Sequence, residues 1–135
     1  MLNKQDINYF NYGKIENEKF WRRLGGKPDL EGKKVLDFGC GHGALCLDVA
    51  QSGAKFIHGI DLEANLLKFA KENIKINFQN FTQNIKFQNL DILKDKIDGK
   101  FDFIVSKDTF EHTQNLPRVL LKMYDLLNKG GKAYI

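Results

Sequence analysis

Apolar and polar positions follow two alternating patterns along this chain, and these patterns predict strands and helices in turn. Short apolar runs predict five strands, at residues 33–38, 55–60, 85–89, 101–105 and 132–135. Apolar residues spaced three or four apart predict helices at residues 14–24, 44–51, 63–74 and 115–129. Such alternation favours right-handed crossovers and an α/β fold, a three-layer doubly wound sheet that is mostly parallel and ends at the fifth strand.

Three segments are defined by residues that interrupt these patterns. Residues 1–13 are polar and aromatic and predict an arm or a lid in front of the first helix. Residues 75–84 are rich in Asn and Gln and predict a loop, and Gly130 and Gly131 predict the end of the last helix. We therefore expect an N-terminal arm and helix at 1–30, followed by a ligand-binding domain at 31–135.

The end of the first strand carries glycines at alternate positions, in the sequence VLDFGCGHG at residues 35–43. Ligands of doubly wound sheets bind at the carboxyl ends of the strands, where the winding reverses, and glycine lets backbone N–H groups approach them closely. The spacing is G-x-G-x-G, whereas a dinucleotide site needs G-x-G-x-x-G. Asp37 precedes the glycines and can face an ammonium group, which suits a ligand with an amino acid moiety. A purely structural turn is the alternative.

Acidic residues follow the second and third strands. Asp61 lies 22 positions after Gly39 and can accept hydrogen bonds from ribose hydroxyls, or it can cap the next helix. Leu62 offers an apolar surface to a flat base. Asp91 can accept from an adenine amino group while the Ile92 N–H donates to a ring nitrogen, although Asp91 can also be an exposed turn acid.

The ends of the first four strands together resemble the class I S-adenosylmethionine-dependent methyltransferases. VLDFGCGHG is similar to the first motif of that family, GIDL to its second and NLDI to its adenine-contacting loop. FDFIVSKDTFEHTQN and KGGKAYI are similar to its segment from the fourth strand to the fifth. The likeness covers residues 33–135 and implies a Rossmann-like fold, S-adenosyl-L-methionine as cofactor and S-adenosyl-L-homocysteine as product.

The resemblance also implies a role for each matching residue. The glycines and Cys40 would pack against the methionine part, Asp37 would orient it, and Ser106 and Lys107 would flank the sulfur. His112 matches a position near the methyl donor and is a candidate base, and no metal is implied. The implied cofactor-binding residues are Asp37, Gly39, Cys40, Gly41, Gly43, Asp61, Leu62, Asp91, Ile92, Ser106 and Lys107.

The resemblance stops where the chain does. The family's sheet continues beyond the fifth strand with an antiparallel pair, whereas this sequence ends at Ile135. We therefore expect an exposed edge at the fifth strand, which a partner or a further segment would cover. The chain is expected to be either a fragment of a longer methyltransferase or an unusually small domain.

Composition narrows the function classes. The chain has 135 residues and a net charge of +4, and its lysines are scattered among acids, which argues against a nucleic-acid partner. No apolar run approaches the roughly 20 residues of a membrane span, and no secretory signal is present, so a cytoplasmic location is expected. Cys40 and Cys46 do not form a zinc pattern and are expected to be small buried side chains.

Three functions remain after this reading. The first is methyl transfer to an unidentified, small-molecule acceptor. The second is a non-catalytic cofactor-binding or partner-binding module, because the acceptor half of the family's fold is missing. The third is a nicotinamide-dependent enzyme, which the glycine spacing and Asp37 argue against.

Overall fold

Five strands form one sheet in the order β3-β2-β1-β4-β5, and every neighbouring pair is parallel. The computed structural model describes residues 2–107, 109–110 and 113–135. The strands are β1 Lys34–Phe38, β2 Phe56–Asp61, β3 Ile85–Asn89, β4 Phe101–Val105 and β5 Leu127–Tyr134. The helices are α1 Lys4–Arg23, α2 Ala44–Gln51, α3 Ala64–Asn77 and α4 Leu116–Leu126, with a 3₁₀ turn at Gln79–Phe81. None of the described helices is long and apolar enough to span a membrane.

Neighbouring residues of a strand point to opposite sides of the sheet, so both faces carry apolar side chains. Helices cover both of these faces. Val35 of β1 packs in a cluster with side chains of α1, α2 and α3. Its neighbour Leu36 packs in a second cluster with Val119 and Met123 of α4. The predicted three-layer α/β fold is therefore confirmed. The strand order reverses between β1 and β4, which places the switch point beside the glycine turn, and β5 lies at an edge of the sheet as expected.

The predicted arm or lid at residues 1–13 is mostly helical, because residues 4–13 are the first half of α1. The Asn3 side chain accepts hydrogen bonds from the N–H groups of Gln5 and Asp6 and caps the helix. Phe10 is buried, and so is the polar Asn17 further along the same helix. Phe10 is the one buried residue among residues 4–13, so apolar periodicity did not extend the predicted helix to its cap.

Two other element boundaries differ from the sequence prediction. The predicted loop at 75–84 contains the last turn of α3 and the 3₁₀ turn. The last helix ends at Leu126, and the glycine pair lies inside β5. The pairing of β5 with β4 is irregular between Phe101 and Phe103, and Gly130 has φ +81, which suits an irregular strand. Asn115 occupies the N-cap of α4, but its side chain makes no capping hydrogen bond.

The buried His58 of β2 is expected to make the protein less stable in mild acid. Burial lowers its pKa from the ordinary 6.5, and a hydrogen bond with Gln88 opposes this shift. When the pH falls below about 6.5, the unfolded chain therefore binds a proton that the folded chain does not, and the free energy of unfolding decreases. Urea unfolding of wild type and His58→Gln between about pH 5 and 8 measures this slope.

The difference between the two proteins isolates His58 from other titrating groups. We expect the wild type to lose more stability on acidification than the glutamine variant, and the two slopes to agree above about pH 7.5. Parallel slopes over the whole range would contradict the prediction.

Candidate functional site

A cleft of about 340 Å³ opens at the carboxyl ends of β1 and β4, where the sheet reverses. Its walls come from the glycine turn, the start of α2, Lys107 after β4 and the first half of α1. The lining residues are Tyr9, Gly13, Asp37, Gly39, Cys40, Gly41, His42, Ala44, Leu45 and Lys107. A larger depression of about 470 Å³ shares Lys107 but is lined otherwise by α1, mostly by charged residues. The first cleft is the candidate site because it contains the predicted motif.

The three glycines of the turn have left-handed backbone conformations, with φ of +77 at Gly39, +52 at Gly41 and +88 at Gly43. A Cβ at Gly39 would overlap the side chain of Thr109, so this glycine lets the segment after β4 pack against the turn. A Cβ at Gly41 would meet no atom of another described residue within 4 Å. The cleft is therefore open at Gly41, where a ligand can approach the main chain closely.

Asp37 is a buried carboxyl group on the wall of this cleft. It is 1% exposed, and Cys46 Sγ donates to its Oδ2 at 3.2 Å. Burial raises the pKa of Asp37 to about 7; the Cys46 hydrogen bond and the Lys107 charge oppose the shift, and the Asp61 charge adds to it. A buried carboxyl group on the wall of a cleft is suited to a cationic ligand group, because a cation would stabilise its ionised form.

Lys107 connects the cleft to α1. Its Nζ donates to the carbonyl of Gly13 at 3.1 Å and to Oδ1 of Asn17 at 2.9 Å. The Nδ2 of Asn17 in turn donates to the carbonyl of Ala44 at 3.1 Å. A Cβ at Gly13 would lie 2.9 Å from that of Ala44, so glycine permits the close approach of α1 to the start of α2.

The first half of α1 forms a wall of the cleft, and the sequence predicted no site residue in it. Tyr9 stacks on His42 with ring centroids 5.6 Å apart, and His42 Nε2 lies 3.1 Å from Asp6 Oδ1. These contacts tie α1 to the glycine turn, which gives His42 a structural role. The available signal was Asn3, a favourable N-cap residue at the chain start.

Asp61 joins the glycine turn to the start of α3. Its Oδ2 accepts the Gly41 N–H at 2.8 Å, and its Oδ1 accepts the Glu63 N–H at 2.8 Å. The N-cap residue of α3 is Glu63, so the capping alternative for Asp61 is wrong, although its carboxylate contacts the residue at the helix start. Each carboxylate oxygen can accept a second hydrogen bond, so a ribose role remains open beside it. Leu62 is 67% exposed and available to a flat ligand group.

The other candidate residues lie outside the lining of the cleft. Asp91 follows β3, and its Oδ1 accepts the Leu93 N–H at 2.8 Å. The Ile92 side chain is buried in the second core cluster. The Ser106 hydroxyl donates to the carbonyl of Phe38 at 2.9 Å and holds the end of β4 against the end of β1. His112 lies outside the described residues.

The structure thus gathers one group of the predicted residues and leaves another beside it. Asp37, Gly39, Cys40, Gly41 and Lys107 line the cleft. Asp61 joins this group through its hydrogen bond to the Gly41 N–H. A parallel sheet with this strand order, a glycine turn after its central strand and an acid after the neighbouring strand define a nucleoside-binding domain of the Rossmann-like class.

The methyltransferase domain family matches residues 29–135, and the chain belongs to that family. The predicted recognition of a Rossmann-like, S-adenosylmethionine-dependent methyltransferase domain is confirmed. The chain is 31% identical over 132 residues to phosphoethanolamine N-methyltransferase 2 of Caenorhabditis elegans, covering 96% of this chain and 29% of that protein. It is 33% identical over 105 residues to the ubiquinone biosynthesis O-methyltransferase of Coxiella burnetii, covering 78% of this chain and 43% of that protein.

A solved structure shares the fold and contains the cofactor product. Phosphoethanolamine N-methyltransferase 2 of Haemonchus contortus, in complex with phosphomonomethylethanolamine and S-adenosylhomocysteine, superimposes with a TM-score of 0.75 at 25% identity. The match covers 88% of this chain and 27% of that one. This chain therefore spans less than half the length of these relatives.

Proposed function

We propose that this chain binds S-adenosyl-L-methionine and transfers its methyl group to a small-molecule acceptor. The observation that carries the proposal is Asp37, a buried carboxyl group that lines a cleft beside the open position at Gly41. The cofactor carries a cationic amino group and, a few bonds away, a sulfonium. The cleft offers a carboxylate for the amino group and an uncrowded backbone for the carbon chain between the two groups. A nicotinamide dinucleotide has no ammonium group to place against Asp37.

Within this proposal different residues bind different parts of the cofactor. Asp37 holds the amino group, the glycine turn with Cys40 packs along the methionine part, and Asp61 holds the ribose hydroxyls. Leu62 would lie against the adenine, with Asp91 and the Ile92 N–H at its polar edge. The hydrogen bond from the Gly41 N–H to Asp61 supports this division, because it fixes the ribose-binding acid relative to the turn.

The bound cofactor supplies a methyl group already activated on a sulfonium. The protein then has to align the acceptor for in-line displacement and to exclude water, since proximity is the main source of acceleration in such a step. Ser106 holds the segment after β4 against the end of β1 through Phe38, and Lys107 holds it against α1 through Gly13 and Asn17. His112 is the proposed base where the acceptor must lose a proton.

The acceptor class is supported by the relatives. The names of two of them specify methylation of phosphoethanolamine nitrogen and of an oxygen in ubiquinone biosynthesis. A small amine or hydroxyl compound is the corresponding acceptor here.

Both cysteines are free thiols, which supports the cytoplasmic location. The chain covers only 24–43% of its curated relatives, which keeps a non-catalytic cofactor-binding role as the second candidate.

Asp61→Ala is the test of cofactor binding. We expect S-adenosylhomocysteine affinity to fall by about 10- to 100-fold, because charge-assisted hydrogen bonds to the ribose are lost. Isothermal titration calorimetry measures it, and Asp125→Ala, which removes an exposed acid of α4, is the matched control. Wild-type affinity in Asp61→Ala would contradict the proposal. Cofactor binding without methyl transfer to any of a panel of amines and phenols would favour the non-catalytic candidate.

A further inference from the structure

We propose that Cys46 is a positioning residue for cofactor binding, because its thiol donates to Asp37 and holds that carboxylate ready for the cationic amino group. The inference rests on the proposed role of Asp37 and adds a residue to it. Cys46 belongs to α2, lies outside the cleft and was expected only to fill space. Its contact with a carboxyl group gives it a second role.

The packing around Asp37 brings the thiol into place. Asp37 pairs in register with Gly59 of β2, and this glycine leaves the room that the two cysteine side chains fill. A Cβ at Gly59 would lie 2.8 Å from Cys46 Sγ and 2.9 Å from Cys40 Sγ. Cys46 is completely buried, and its Sγ lies 3.2 Å from Asp37 Oδ2. The donor therefore reaches the carboxylate from within the protein interior.

Other groups act on this carboxylate from the surrounding elements. Lys107, after β4, contributes a favourable charge, and Asp61, after β2, an unfavourable one. The first backbone N–H groups of the turn, those of Gly39 and Cys40, donate to the carbonyl of Ile60 instead. Cys46 is thus the group of α2 that bonds directly to the acid.

The chemistry of a buried thiol suits this role. Burial raises the pKa of Cys46 well above its ordinary value, and its contacts with Cys40 and Asp37 raise it further, so the sulfur keeps its proton and can donate. A hydrogen bond that is made to the ionised form of an acid favours that form. Without it, Asp37 would stay protonated to a higher pH, and a cationic ligand would have to displace the proton.

The test compares Cys46→Ala, which removes the donor, with Cys46→Ser, which keeps one. S-Adenosylhomocysteine affinity is measured by calorimetry between about pH 5.5 and 8, where Asp37 titrates and the ligand amino group is mostly cationic. We expect affinity to decline on the acid side of a midpoint near 7 in the wild type. In Cys46→Ala this midpoint should rise by about 0.5 to 1 pH unit, and Cys46→Ser should restore it.

The pH profile separates positioning from packing. We expect Cys46→Ala to bind about 3- to 10-fold more weakly than the wild type near pH 6 and nearly as well at pH 8. An equal loss at every pH, or an unchanged midpoint, would overturn the proposal. If the smaller side chains prevent folding, Cys46→Thr and Cys46→Val give the same comparison, because they have similar shapes and only threonine has a donor. Equal midpoints in that pair would also overturn the proposal.

The Asp37→Asn variant distinguishes a failure of this inference from a failure of the proposed function. Wild-type affinity in Asp37→Asn would remove the role of Asp37 and the inference with it. Weak binding in Asp37→Asn together with a wild-type midpoint in Cys46→Ala would overturn the inference about Cys46 alone.

Discussion

Replacing Asp37 with asparagine is expected to weaken S-adenosylhomocysteine binding by about 100-fold or more near pH 7.5 while the fold is retained. Removing one partner of a buried ion pair costs about 3–5 kcal/mol, because the other charge is left without compensation in the interior. Asparagine has nearly the same shape, so the packing against Cys46 and Gly59 is kept. Isothermal titration calorimetry measures the loss, and Asp125→Asn on the exposed face of α4 is the control.

The same substitution should raise the free energy of unfolding relative to wild type as the pH increases. The folded, unliganded protein keeps the Asp37 proton up to about pH 7, whereas an unfolded aspartate loses it near 3.8. The folded chain therefore binds more protons between these values, and the contribution of Asp37 to stability falls as the pH rises through this window. Asparagine lacks this loss, so the stability of Asp37→Asn relative to wild type should increase from pH 4 to 7 in urea titrations. A pH-independent difference, or wild-type affinity for the ligand, would contradict the assignment.

Gly41→Ala is expected to reduce S-adenosylhomocysteine affinity by about 10- to 100-fold with only a modest loss of stability. A left-handed backbone costs a non-glycine residue about 1–2 kcal/mol, and within the described part of the chain the added methyl group meets no atom within 4 Å. The methyl group would stand where the ligand must approach the main chain, so the larger effect falls on binding. Calorimetry and thermal unfolding measured on the same sample separate the two effects.

Gly25→Ala is the matched control for this substitution. Gly25 has φ +90, and a Cβ there also meets none of the described atoms within 4 Å. The residue lies after α1, away from the cleft. Both variants should lose similar amounts of stability from backbone strain, and only Gly41→Ala should lose affinity. Equal affinity in the two variants would show that the open side of the turn does not face the ligand.

Local pattern was sufficient for most of the sheet. Strands β3 and β4 and helix α2 have the predicted bounds, because each is a short apolar run between clear turn residues. The glycine pair at 130–131 was misread because glycine ends helices more often than it lies in strands. Its place in β5 depends on pairing with β4, a contact between segments far apart in sequence.

Helix α1 shows the same limit at the functional site. Gly13 and Asn17 are poor residues for predicting a buried helical face, yet they permit the close contact with Ala44 and hold Lys107. Their use becomes visible only when α1 is packed across the cleft. Tyr9 and His42 likewise lie 33 positions apart and meet only in the folded chain.

The sequence by itself determined the α/β architecture, the glycine turn and the acids at the strand ends, because alternating periods and glycine spacing are local properties. It also carried enough family likeness to name the methyltransferase class. Only the tertiary structure decided that α1 forms a wall of the cleft, that Asp61 bonds to Gly41 and that a thiol of α2 faces Asp37. Those relations depend on burial and on contacts between distant segments, and these set the ionisation of Asp37 that the proposed binding requires.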